Sequence, residues 1–182
     1  MTLRPGVDLV PCPRDMRRAL RAVGRHTELA RAPGGIDLQL RLITPSCPLY
    51  HALDERAASR PFAGNAPWWG FVWPGGWALA EWLTTSAAGR RAVARRAVLD
   101  LGAGCGVGAI AAARAGAAAV VANDVDRFAL AAVAANARRA RARRGVLRTL
   151  PVDLLRKGRA ARPIVARGRR RAPAPQRLAA RA

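Results

Sequence analysis

Residues 98–108, Val98-Leu99-Asp100-Leu101-Gly102-Ala103-Gly104-Cys105-Gly106-Val107-Gly108, decide the fold. They read as a short apolar strand running into a turn with glycine at alternate positions, then a helix starting near Ala109. Without a Cβ, such glycines let the backbone approach a ligand closely. The helix that follows aims free N–H groups at the same place. Two registers fit. The pattern D-x-G-x-G-x-G uses Asp100, Gly102, Gly104 and Gly106. The spacing G-x-G-x-x-A, met by Gly104, Gly106 and Ala109, is that of a dinucleotide fingerprint. The second register extends the strand into Gly102 and leaves Asp100 without a role. A second apolar strand, Ala119–Asn123, ends in Asp124-Val125-Asp126. An acidic side chain at that place can take both ribose hydroxyls of a nucleoside. Asp124 therefore indicates a nucleoside cofactor in either register. Asp126 directly precedes the next helical run and reads as its N-cap.

Upstream lies Pro67-Trp68-Trp69-Gly70-Phe71-Val72-Trp73-Pro74-Gly75-Gly76-Trp77-Ala78-Leu79-Ala80-Glu81-Trp82-Leu83, which holds all five tryptophans of the chain. Pro74 suits the first turn of a helix over about Gly75–Leu83. Leu79 and Leu83 then share one face, as do Ala78 and Trp82. The D-x-G-x-G-x-G stretch resembles motif I of the class I S-adenosylmethionine-dependent methyltransferases. "VWPGGWALAEWL" (72–83) followed by "VLDLGAGCGVGAIAAARAGAAAVVANDVD" (98–126) is similar to the seven-β-strand protein-lysine methyltransferases. The likeness is greatest to the group that methylates the β subunit of electron transfer flavoprotein. "HTELARAPGGIDLQLRLITPSCPLYHA" (26–52) is similar to that group's N-terminal strand and loop. Ribosomal protein L11 methyltransferases share the core but match the tryptophan block less well.

The resemblance implies S-adenosylmethionine as cofactor and a protein substrate, the flavoprotein β subunit or a similar protein. It implies a glycine turn, Gly102, Gly104 and Gly106, in contact with the cofactor, Asp124 on the ribose and Trp73 lining the pocket. Trp73 reads equally as packing. For Trp68, Trp69, Trp77 and Trp82 the packing reading is preferred, with the rings pressing the N-terminal segment onto the sheet. Asp153, after the third strand, matches the position that receives the adenine amino group; a solvated loop aspartate is the other reading. Asn136 falls where the family often has asparagine, and a polar residue on a helix surface explains it equally well.

Composition sets the remaining bounds. The 182 residues suffice for one domain. Cys12, Cys47 and Cys105 show no metal or redox spacing, and their odd number argues against a disulfide framework, which fits a reducing cytoplasm. Cys105, inside the glycine turn, reads as a small filler. His26 and His51 are isolated, with no ligand spacing. No apolar run approaches membrane-spanning length, and no secretory signal core is present. One lysine against 31 arginines indicates a GC-rich genome.

The net charge of +21 is unevenly spread. Residues 1–137 carry 16 arginines and 10 acids, net +6, whereas residues 138–182 carry 16 basic residues and only Asp153, net +15. Part of the excess closes a helix expected over about Arg127–Arg144, where cations complement the dipole and Gly145 makes a C-cap. Beyond Asp153 there is no acid, and beyond Phe128 no aromatic. The Ala, Arg, Pro and Gly composition there cannot bury enough apolar surface to offset ordering. Either it is a basic tail that binds nucleic acid through phosphates, or it is GC-rich DNA read in a shifted frame. The second reading is preferred.

Strands at about Ala97–Leu101, Ala119–Asn123 and Val146–Val152 alternate with helices at about Val107–Ala115 and Arg127–Arg144. This is an α/β, Rossmann-like class I methyltransferase fold with a doubly wound parallel sheet. The resemblance implies seven strands, so the C-terminal half is expected to be missing, a sheet edge beside the third strand is expected to be bare, and solubility is expected to be poor. The expected division is an N-terminal segment (1–60), an incomplete cofactor-binding core (61–153) and a basic disordered tail (154–182). A non-catalytic fragment is the rival reading, with no catalytic residue assigned.

Overall fold

The computed structural model describes residues 14–51, 60–62, 66–140, 142, 145–151 and 153–155. Helix α1 (Arg14–His26) precedes an antiparallel hairpin of β1 (Glu28–Arg31) and β2 (Gln39–Leu42). Short 3-10 turns at Pro48–His51, Arg60–Phe62 and Trp68–Gly70 lead to α2 (Pro74–Thr85) and α3 (Ala87–Val93). Then β3 (Ala97–Leu101), α4 (Val107–Arg114), β4 (Ala119–Asn123), α5 (Arg127–Arg139) and β5 (Leu147–Leu150) alternate.

The three later strands form a parallel sheet in the order β3-β4-β5, with Ala97 opposite Ala119 and Val120 opposite Leu147. Strand–helix alternation therefore yields the parallel half-sheet expected from sequence. β3 ends at Leu101 rather than continuing into Gly102, so the turn begins where the D-x-G-x-G-x-G register puts it. Pro74 occupies the first turn of α2 as expected. Ser86 closes α2 and caps α3, its hydroxyl accepting from the Gly89 N–H.

Two boundaries are shorter than the sequence suggested. α5 stops at Arg139, with Ala140 as C-cap, and Gly145 (φ +85°) lies in the turn before β5 rather than at the helix end. A helix continued to residue 144 would set arginines 138 and 141, 139 and 143, and 141 and 144 on adjacent turns, where like charges are unfavourable. β5 ends at Leu150 because Pro151 has no N–H for the ladder. The expected tail lies almost wholly in residues 156–182, outside the described residues.

Small side chains let the layers approach closely. Residues Val107–Ala113 of α4 are all buried, and a Cβ on Gly76 of α2 would lie 3.3 Å from Val107 Cγ1. Val120 and Ala122 of β4 are buried in the same interior as α4 and Val133 of α5. A second apolar cluster joins Ala19 and Val23 of α1 to Phe62, Trp69 and Phe128, where Phe62 meets both Trp69 and Phe128 edge-on. His26 stands edge-on to Phe62, and burial lowers its pKa.

Among the described residues the third strand, β5, is an edge, as expected, and β3 is an edge too. Within this sheet the large exposed apolar side chains are on β3, with Leu99 55% and Leu101 48% exposed. On β5, Leu147 and Leu150 are only half-exposed. In α2 the pairing of Leu79 with Leu83 does not hold: Leu83 is buried and Leu79 exposed, while Ala78 and Trp82 both face solvent.

Candidate functional site

The C-terminal ends of the adjacent strands β3 and β4 bring Asp100 and Asp124 to the two sides of the glycine turn. Gly102, Gly104 and Gly106 all have left-handed backbones, φ +69°, +52° and +85°, which L side chains rarely adopt. Their surroundings differ. A Cβ on Gly102 would meet nothing within 4 Å, so the turn is open there. A Cβ on Gly106 would lie 3.1 Å from Val133 Cγ2, so this glycine seats the turn against α5 and caps α4. Gly104 lies between, its Cβ position 3.8 Å from Trp69 Cα.

The Asp124 carboxylate is held by two backbone donors. Oδ2 accepts from the Gly104 N–H at 3.0 Å, and Oδ1 from the Asp126 N–H at 2.9 Å. Each oxygen keeps a lone-pair direction for another donor. Asp126 is the N-cap of α5, accepting from the Phe128 N–H at 2.8 Å, as its position predicted. Burial, then the Asp124 charge, raises the Asp126 pKa, against its bonds from the helix N-terminus.

Asp100 faces the first turn of α4. Burial, opposed by the Ala109 N–H and aided by the Asp124 charge, raises its pKa. Its Oδ2 is buried, 3.2 Å from the Cβ position of Gly108, and accepts no hydrogen bond. A buried acceptor without a donor is costly. A ligand bearing N–H and O–H groups would supply one. The open face of Gly102, the spare acceptor capacity of Asp124 and the orphaned oxygen of Asp100 together fit a nucleoside carrying an amino-acid moiety, which is the make-up of S-adenosylmethionine.

Of the tryptophans, Trp69 is buried and Trp77 half-buried, in keeping with packing. Trp68 (58% exposed), Trp73 (52%) and Trp82 are open instead, so for Trp68 and Trp82 the packing expectation does not hold. Trp73 is the N-cap residue of α2, and its indole N–H donates to the Trp68 carbonyl at 3.0 Å. Asp153 is exposed, three residues past β5, and accepts from the Leu155 N–H.

Asn136 is the residue whose role the sequence hid. It is fully buried, not a helix-surface residue. Its Nδ2 donates to the Cys105 carbonyl at 2.9 Å, and its Oδ1 accepts from the Arg41 N–H at 2.6 Å. One amide thus ties the glycine turn and β2 to α5. The available signal was its place in the apolar row of α5, four residues from Ala132 and three from Val133. Cys105 is buried, and burial pushes its thiol up to about 11, in keeping with a filler.

A cavity of about 330 Å³ lies elsewhere, among Asp37, Thr84, Arg90 and Arg114 at the C-terminal ends of α2 and α4. Its arginines serve backbone carbonyls, Arg90 that of Thr84 and Arg114 that of Asp37. It sits at the opposite end of α4 from the glycine turn. No cluster of three metal-ligating side chains occurs among the described residues, and none of their helices is long and apolar enough to cross a membrane.

Residues 81–166 match the family model described as ribosomal protein L11 methyltransferase (PrmA). Relatives named electron transfer flavoprotein beta subunit lysine methyltransferase are similar over a longer stretch. The Mus musculus protein is 42% identical over 100 residues, covering 55% of this chain and 36% of the relative. The Danio rerio protein is 44% identical over 103 residues, with the same shares. The Xenopus laevis protein is 37% identical over 115 residues, 63% of this chain and 41% of the relative. The chain thus spans little more than a third of the length of the relatives it matches.

Proposed function

We propose that this class I methyltransferase-like chain, a homologue of those lysine methyltransferases, binds S-adenosylmethionine at its glycine turn for protein-lysine N-methylation. The observation that carries the reading is the turn flanked by Asp100 and Asp124 at the ends of two adjacent parallel strands. The substrate proposed is the electron transfer flavoprotein β subunit or a similar protein, since the relatives bear that name. The matched family model favours a second substrate, ribosomal protein L11.

Gly102 and Gly104 admit the ligand to the backbone, and Gly106 holds the turn on α5. Asp124 takes the ribose hydroxyls while its bonds to Gly104 and Asp126 keep it oriented. Asp100 accepts a donor from the amino-acid end. Trp73 walls the pocket, and Asp153 receives the adenine amino group. When bound, the cofactor supplies an electrophilic methyl group on a sulfonium. The chain's part is to hold that group in line with an incoming amine, where positioning carries much of the rate. No side chain is assigned as base. In this reading residues 61–153 are the cofactor-binding core, residues 1–60 an N-terminal segment, and residues 154–182 a basic tail without a part in the site. The buried free thiols of Cys47 and Cys105 suit a reducing cytoplasm.

Calorimetry with S-adenosylmethionine tests the reading on the 182-residue chain. Binding is expected, and Gly104→Val should abolish it, because valine cannot hold φ +52°. A wild-type chain that binds nothing, or a folded Gly104→Val that binds normally, refutes the cofactor assignment. Mass spectrometry of the flavoprotein β subunit and of L11 after incubation then separates the two substrates.

A further inference from the structure

Aromatic side chains form a second feature beside the turn. Residues 42–51 and 66–80 carry no Asp, Glu, Lys or Arg, in a chain of net charge +21. From these two stretches come rings in sequential contact. Tyr50 meets Phe71 at 6.4 Å, Phe71 meets Trp73 at 6.4 Å, and Trp73 meets Trp68 at 5.8 Å. Interplanar angles of 57°, 68° and 55° make the rings successive walls rather than a stack. Tyr50, Trp73 and Trp68 are exposed, and half-buried Phe71 anchors them. The bond from the Trp73 indole N–H to the Trp68 carbonyl fixes the outer pair. The backbone of Trp69, next to Trp68, passes 3.8 Å from the Cβ position of Gly104, so the ribbon adjoins the glycine turn.

Three exposed large rings in one row form a patch of the kind that marks a ligand surface. Tilted aromatic faces attract cations through the ring quadrupole, most strongly alkylated ammonium groups held by several walls. Stacked nucleic-acid bases would need neighbouring cations for the phosphates, and these two stretches supply none. These two stretches also add no positive charge of their own to repel an incoming ammonium.

The geometry points to the faces of Tyr50, Phe71, Trp73 and Trp68 as the seat of the substrate lysine's ammonium group, in its free and methylated forms. The inference rests on the lysine methyltransferase reading and adds the subsite for the amine. The ribbon receives the lysine outside the cofactor pocket, and Trp73 stands at the boundary between the two.

The probe is N-acetyl-trimethyllysine methylamide, with its uncharged tert-butyl isostere as control, titrated into the 182-residue chain while indole N–H resonances are followed. The charged probe is expected to shift the Trp68 and Trp73 signals. The isostere should bind about five-fold more weakly or worse, the scale of one exposed cation–aromatic contact. Trp68→Ala should weaken the charged probe by a similar factor, and Trp68→Phe should keep most of the affinity. Tyr50→Ala serves if Trp68→Ala does not fold by circular dichroism. Equal affinity for the isostere would make the ribbon an apolar docking surface and overturn the inference, as would unmoved indole signals. Calorimetry with S-adenosylmethionine on the same sample separates the two readings. Cofactor binding without probe binding sinks the amine subsite alone, whereas probe binding without cofactor binding sinks the methyltransferase reading and with it the assignment of the ribbon to a substrate lysine.

Discussion

The same three strands carry two unlike faces. On one, Val120 and Ala122 are completely buried with α4 and α5, and Asp100 is pressed against the first turn of α4. On the other, Leu99 and Leu101 stand about half exposed at the edge strand β3. Burying a leucine fully stabilises a protein by roughly 1.5–3 kcal/mol, so the second face leaves much of that gain unrealised. The covered face holds the glycine turn in a left-handed path that an unsupported loop would not keep. Among the described residues the apolar support of the site thus comes mainly from the side of the sheet covered by α4 and α5.

The largest expected effect breaks the covered side. Asn136→Ala leaves the Cys105 carbonyl and the Arg41 N–H without their partner. Stability should fall by about 2–3 kcal/mol, read by urea denaturation, and cofactor affinity should fall with it. A loss below about 0.5 kcal/mol would show that the clip is not what joins turn to helix.

Next comes Asp124→Ala. Affinity for S-adenosylmethionine should drop by about 1.5–3 kcal/mol, the size of hydrogen bonds to a charged group. Calorimetry on the folded variant measures it, and an unchanged affinity removes Asp124 from the ribose position.

A smaller change of opposite sign is expected from Asp100→Asn. Burial raises the folded pKa of Asp100. Such a group contributes stability that is fully present below its unfolded pKa and lost as pH rises through the folded value. At neutral pH the buried charge is therefore unfavourable, and Asp100→Asn should raise Tm while weakening cofactor binding. The gain should vanish as pH falls below the ordinary Asp range. A variant less stable than wild type at pH 7 would contradict the buried-charge account.

The smallest effect belongs to the bare face. Leu99→Ser should alter stability by no more than about 0.5 kcal/mol and should reduce aggregation, since it removes exposed apolar surface. A loss of 2 kcal/mol or more, of the order expected for core truncation, would mean that the leucine is covered in solution and that the two faces are alike.

Much of this was legible along the chain. The strands Ala97–Leu101 and Ala119–Asn123 occur at the residues where their apolar runs begin and end. The N-cap role of Asp126 and the placing of Pro74 follow from local chemistry. The end of α5 was less legible, because an arginine-rich sequence at that place favours the helix through the dipole but disfavours extending it through like charges on adjacent turns.

What the sequence by itself determined was local: where apolar periodicity makes an element, where glycine permits a left-handed turn, and which acid stands at a strand's end. These depend on neighbours within a few residues. The tertiary structure alone decided that Asn136 is buried, that Gly106 faces Val133 while Gly102 stays open, and that Trp69 is covered while Trp68 is not. Each depends on residues far apart in the chain: the Asn136 clip reaches 31 residues to Cys105 and 95 to Arg41. A burial pattern made by such long-range contacts leaves no periodic trace in one segment, so only the folded packing can assign it.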